Sequence, residues 1–240
     1  MTLSFFDELV CETAMELARF RSVPLVLRGV TTGVDRDLYL DVLAGTYHTQ
    51  RQTNRLTEQA ISRCGEADSL LESWLRAILV AEKNQEDRIL DDIRVLGGDP
   101  NRVQRSQPPR AVVAMATYAG DAIEQSSPYV LLGMRHVLNC VSLILARTAE
   151  NTMRARLEAD HAATGFAYFL SLGQRSYDDS LKFALQLDEV DTPERRTTAI
   201  RAAKRFFPLF GEIFLGINNP QKVWQGAFPG DAYAIGRSAA

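Results

Sequence analysis

Only three cysteines occur in the 240 residues, Cys11, Cys64 and Cys140. They are far apart and odd in number, which excludes a disulfide framework and a Cys-x-x-Cys metal pair and fits a reducing compartment. Long apolar runs are missing as well: no window approaches the roughly 18 or more unbroken apolar residues of a membrane span. There is no basic surplus, since 27 Lys and Arg stand against 30 Asp and Glu. That balance lacks the concentrated positive face of a nucleic-acid-binding domain. The stretch "MTLSFFDELVCETAMELARF" has no basic leader and carries acids throughout. A signal peptide is therefore not expected, and a cytoplasmic location is. No Gly-rich phosphate loop, GxSxG elbow, HExxH pair or EF-hand loop is present. Pro, Gly and Ser are not in excess, and 46% apolar with 24% charged residues is the balance of a soluble globular chain. Neither nucleic acid nor a membrane is expected as a partner.

What is present is helical periodicity. Phe5, Leu9, Met15 and Leu17 fall in one amphipathic segment, and "DRDLYLDVLAGTYHTQRQTNRLTEQAISRC" continues for about eight turns behind Asp35, a suitable N-cap. "EADSLLESWLRAILVAEKNQEDRILDDIRVLGG" reads as one equally long helix stopped by Gly97-Gly98. A polar link, "DPNRVQRSQPP", precedes a helix opened by paired prolines. Pro128 opens a run long enough for two helices, with Gly173 as a stop and Ser176 as the N-cap of a shorter helix, Asp179 at its third position. Thr192-Pro193-Glu194 starts the last helix. Nothing alternates with the period of a strand. The expected fold is an all-α bundle of about seven to nine helices over residues 1–217, followed by an extended tail, 218–240.

Several polar groups sit within these helices. Glu82 and Gln85 share an i, i+3 spacing and project toward the apolar face of Leu79, Ile89, Ile93 and Leu96. Two readings stand, a pocket pair or a satisfied polar pair at a helix boundary. His136 and Asn139 repeat the spacing in "GMRHVLNCVSL", as a core histidine or as pocket residues. Tyr47, His48 and Arg51 suit a pocket mouth or exposed surface, and Glu158 with His161 reads as a surface charge cluster. Cys140 lies in an apolar run and would need His136, one turn earlier, as its base to act as a nucleophile. Arg51 or Arg135 could pair with a substrate carboxylate.

The stretches "YLDVLAGTYHTQRQTNRL", "AEKNQEDRILDDIRVLGGDP", "GMRHVLNCVSL" and "RRTTAIRAAKRFFPLFGEIF" resemble the haem-oxygenase-like superfamily, which includes the TenA thiaminases, PqqC and the CADD-like non-haem iron oxidases. The CADD-like branch is the most similar. That resemblance implies a helical bundle, a homodimer and a central ligand site. In the iron-dependent branch the site is Glu-x-x-His, then a Glu, then His, Asp and His. Laid on this chain, these six positions hold Glu82, Gln85, Asn139, Leu172, Ser176 and Asp179. Only Glu82 keeps its type, so the resemblance implies a pocket without a di-iron centre, and no cofactor is expected. Glu82, Gln85, Arg135, His136, Asn139 and Asp179 would line it, with Tyr47, His48 and Arg51 at the mouth. The function expected is that of a metal-independent biosynthetic enzyme or a catalytically silent relative. Two alternatives go with it. One is a non-haem iron oxidase of an amino-acid- or fatty-acid-derived substrate, its ligands drawn from Glu82, Asp179, His48 and His136. The other is a TenA-like enzyme using Cys140, with Glu212 as the carboxylate on the last helix.

Overall fold

The computed structural model describes residues 4–156 and 164–218, without the side chains of residues 155, 156, 164, 176, 177 and 218. The tail from 219 and the Glu158/His161 pair lie outside the described residues.

Several helices begin where a side chain offers the backbone a partner or a proline presets the first turn. Ser4 accepts from Asp7 N at the start of α1 (Phe5–Arg21), and Pro24 opens α2 (Pro24–Thr32). Asp35 accepts from Leu38 N and starts α3 (Arg36–Arg63). The long helix expected next is two, α4 (Ser69–Glu82) and α5 (Gln85–Val95). They part at Asn84, whose φ of 70° is left-handed, a conformation Asn tolerates better than most residues. Gly97, at φ 75°, closes α5: its N–H donates to Arg94 O and that of Gly98 to Ile93 O.

The expected polar link contains a short helix, α6 (Pro100–Arg105), because Asp99 accepts from the N–H groups of Asn101 and Arg102. Then come α7 (Arg110–Gln125), α8 (Val130–Arg156), α9 (Ala167–Asp188) and α10 (Pro193–Asn218). The expected stop at Gly173 and N-cap at Ser176 are both corrected, as the two residues lie inside α9. A Cβ on Gly173 would come 2.9 Å from Ala146 Cβ, so the glycine serves close packing of α9 on α8. Thr192 Oγ1 accepts from Arg195 N, as a helix start there requires. The described residues thus form ten α-helices and two single 3₁₀ turns, with no strand.

The core is organised around α8, which packs on α2, α9 and α10. Its segment Val130–Arg154 is long and apolar enough to cross a membrane by length and composition, and most of its apolar stretch is buried inside the bundle. At Gly133 the approach to α10 is backbone to backbone: a Cβ there would lie 2.3 Å from Ala199 O and 2.6 Å from Ala203 N. On the other side α1 packs on α10, while α3 packs on α5 and α7. Met15, expected in the apolar stripe of the first helix, is 63% exposed, whereas Phe5 and Leu9 are fully buried.

Candidate functional site

A cavity of about 340 Å³ lies between α3, α4, α8, α9 and α10. Helical phase decides which side chains reach it. From α3 come Val42, Thr46, Thr49, Gln50 and Thr53, spaced by three, four and seven along one face. From α8 come Arg135, Leu138, Asn139 and Ser142, from α9 Tyr168, Leu172, Arg175 and Asp179, and from α10 Phe210, Ile213, Phe214 and Ile217. The helix break at Asn84 supplies the rest, with Glu82 as the last residue of α4 and Gln85 as the first of α5.

The cavity has a polar end and an aromatic end. At the aromatic end the rings of Trp74 and Phe183 lie 5.8 Å apart. At the polar end Glu82 Oε1 accepts from Arg135 Nη1, and Oε2 accepts from Gln50 Nε2 at 2.9 Å. Both side chains of the ion pair are about one-fifth exposed. Gln50 Nε2 also donates to Asn54 Oδ1, and Asn54 to Glu86 Oε1. Gln85 is 5% exposed, and its Oε1 is buried without a hydrogen-bond partner. The phenol of Tyr168 is held well above its ordinary range, first by burial and then by the negative charge of Glu82. Beneath it, buried Asp92 accepts from Tyr168 N at 2.9 Å and so caps the start of α9. Burial pushes that carboxyl up to about 6, although the backbone N–H groups of Tyr168 and Ala167 favour its ionised form.

Five of the residues expected in the pocket meet here: Glu82, Gln85, Arg135, Asn139 and Asp179. Leu172, which the resemblance laid on a ligand position, lines the same space. The others do not line it. His48 Nε2 lies 2.9 Å from Ser106 Oγ, which already donates to Val103 O and so accepts from the ring; the imidazole stacks edgewise on Tyr47 and is pushed down by burial and then by Arg51. Arg51 lies over the Tyr47 ring and 3.7 Å from Glu86. These three form a cluster of their own rather than the mouth. His136 is buried against α1, its Nε2 2.9 Å from Thr13 Oγ1 and its ring edge-on to Phe207. Thr13 already donates to Leu9 O, so it accepts from His136, which assigns the Nε2–H tautomer. Burial pushes this imidazole down to about 4.

Cys140 does not reach the cavity, and burial raises its thiol to about 11, the opposite of what a nucleophile needs. Glu212 is likewise absent from the lining. Of the four side chains considered for iron, only Glu82 and Asp179 border the cavity, and no group of three or more His, Cys, Asp or Glu gathers among the described residues. Reading the sequence missed Gln50, Tyr168, Arg175 and Asp92. For Asp92 the signal was there: it is an acid on the apolar side of its helix, next to Ile93 and three residues after Ile89.

No protein family's sequence profile matches the chain, and no curated protein matches it in sequence. Solved structures do. A domain with a haem-oxygenase-like fold from Shewanella denitrificans superposes with a TM-score of 0.78 at 15% identity, over 89% of this chain and 92% of that one. Haem oxygenase from Leptospira interrogans gives a TM-score of 0.68 at 17% identity, over 88% and 98%. A TenA homologue from Pseudomonas syringae gives 0.65 at 10%, over 87% and 90%. With ten helices among the described residues, packed around a central α8, the chain has the haem-oxygenase-like fold.

Proposed function

We propose that this chain binds an organic small molecule in the cavity without a di-iron centre, as a metal-independent biosynthetic enzyme or a catalytically silent relative. One observation carries the reading. Glu82 has committed both carboxylate oxygens, one to Arg135 and one to Gln50. A ferrous ion would have to displace a guanidinium from Glu82 and would find Gln85, Asn139 and Leu172 where charged or imidazole ligands are needed. The donor set does not fit a di-iron site.

It does not fit haem either. No histidine, cysteine or methionine among the described residues lines the cavity, and the Tyr168 phenol is held protonated. Cys140, partly buried and outside the cavity lining, argues against TenA-like thiol chemistry. The homodimer implied by the resemblance remains part of the proposal and is tested by light scattering.

Anaerobic loading with ferrous iron, desalting and metal analysis test the metal-free reading. Iron well below one equivalent per chain is expected. Near-stoichiometric iron would overturn it and restore an iron-dependent oxidase.

A further inference from the structure

Charge, rather than the number of donors or acceptors, restricts what the cavity can hold. The ionised side chains that border it are Glu82, Arg135, Arg175, Asp179 and Lys182. Glu82 and Arg135 neutralise each other. Asp179 and Lys182 are exposed, where water screens them. That leaves Arg175, half-buried on α9 and without an ion pair among the described residues. Its Nε donates back to Ser171 O at 3.3 Å, which turns the guanidinium toward the start of α9 and away from Asp179, one turn further on. A guanidinium drawn out of water without an acid costs free energy unless a ligand brings the counter-charge.

A second donor stands at the start of α9. Tyr168 lies two turns before Arg175 on the same helix face, lines the cavity and is 4% exposed. Its hydroxyl has no hydrogen-bond partner among the described residues, and unlike Gln85 Oε1 its oxygen is not sealed in by protein. The charges of Arg135 and Arg175 both act on this phenol, which sets it beside the two guanidinium groups, while burial and Glu82 keep it protonated and so able to donate. From α8 the Asn139 amide and the Ser142 hydroxyl face the same space. A monoanion answers the one positive charge left over. An ammonium would add to that charge, a neutral head group would leave it unpaired, and a phosphomonoester dianion would set a surplus negative charge beside Glu82. A carboxylate also matches the guanidinium fork in shape. The apolar body then has Leu138, Leu172, Phe169 and the Trp74/Phe183 end to lie against.

We infer that the cavity binds a monocarboxylate with an apolar body, its head group held by the Arg175 guanidinium and the Tyr168 hydroxyl. This rests on the reading of the cavity as a small-molecule site. The two arginines expected to pair with a carboxylate do not take the part: Arg51 lies outside the cavity against Tyr47 and Glu86, and the charge of Arg135 is met by Glu82.

The test is calorimetric titration of the full chain at neutral pH with phenylbutyrate, phenylbutanamide, phenylbutylamine and phenylbutyl phosphate, which share one body and differ in the head group. The acid is expected to bind about tenfold tighter than the others, or more. Arg175→Met should weaken the acid about 30-fold and the amide less than about threefold, and Tyr168→Phe should weaken the acid about tenfold, as the loss of charge-assisted hydrogen bonds does. Neither variant is expected to lower the melting temperature of the free chain, which gives Arg175 only the Ser171 carbonyl and the Tyr168 hydroxyl no partner. A lower melting temperature with the advantage of the acid intact would make both residues structural and overturn the inference. Equal binding by all four probes, or tightest binding by the amide, the amine or the phosphate, would overturn it as well. A parallel titration with phenylnaphthylamine, a neutral apolar dye, separates this inference from the reading beneath it. If the dye binds and the acid neither binds nor displaces it, the head-group inference alone falls. If neither the dye nor any of the four probes binds, the small-molecule reading falls with it.

Discussion

Two faces of α8 carry polar residues of similar kind, and the bundle treats them in opposite ways. On one face His136 is 4% exposed, bonded to Thr13 and wedged against Phe207, with Cys140 one turn on. On the other, Arg135, Asn139 and Ser142 front the cavity, and the nearby Gln85 oxygen has no partner. Neighbours 135 and 136 point about 100° apart on a helix, so one step in sequence separates a closed contact from an open one. Where the polar groups satisfy one another, the helix face is structural. Where the partners run out, space remains for something from outside.

The largest effect should come from unbalancing the open face. Arg135→Met strips the counter-charge from Glu82 and should cost about 3 kcal/mol, near the lower end for buried pairs because this one is partly exposed. Adding Glu82→Met should recover most of the loss. Urea titration of the single and double variants measures this, and a double variant as weak as the single would show that the pair does more than neutralise charge.

Acid should separate the two sides as well. His136 titrates near 4 in the folded protein and near 6.5 when unfolded, so the unfolded chain takes its proton first and stability is lost as pH falls through that window. Asp92, which anchors Tyr168 on the cavity side, titrates near 6 folded against 3.8 unfolded, so the folded protein takes the proton first and stability rises as pH falls. Each is worth about 3 kcal/mol at full effect. Thermal unfolding at neutral pH and at about pH 4 should find His136→Gln less acid-sensitive than the wild type and Asp92→Asn more so. The same sign for both variants would refute the opposition.

A single lost contact should weigh less. Thr13→Val orphans the His136 N–H and should cost about 1 to 2 kcal/mol, whereas Asn139→Leu should change stability by less than about 0.5 kcal/mol and abolish ligand binding. Smallest in stability terms is thiol reactivity. With its pKa near 11, Cys140 should alkylate at neutral pH roughly 100-fold more slowly than exposed Cys11, followed by mass spectrometry of the two peptides.

Much of the fold was legible because caps are local: Asp35, Thr192, Gly97 and the prolines before Arg110 each mark a boundary that needs no tertiary information. The break at Asn84 was not, since "VAEKNQ" contains neither Gly nor Pro and its left-handed residue is an asparagine. Gly173 misled for the converse reason. Its job is contact with α8, and a contact leaves no mark in the local pattern. At the site, Glu82, Gln85 and Asn139 were marked by their helical spacing, and the family resemblance, which carries helical phase with it, added Asp179. His48 and His136 were read from their neighbours on one helix, which do not say which partner helix that face meets. Gln50 and Thr53 were overlooked because a polar residue on a long helix looks solvated until its neighbours are known.

The glycine at 133 has a reach beyond its own contact. It seats α10 at Ala199 and Ala203, and about 15 Å further along, past Pro208, the same helix presents Ile213 and Phe214 to the cavity. α10 therefore works as a lever with its fulcrum at Gly133. A methyl group added there would lift the near arm off α8 and carry the cavity wall with it, so the room a ligand finds is gauged by a side chain that residue 133 does not have.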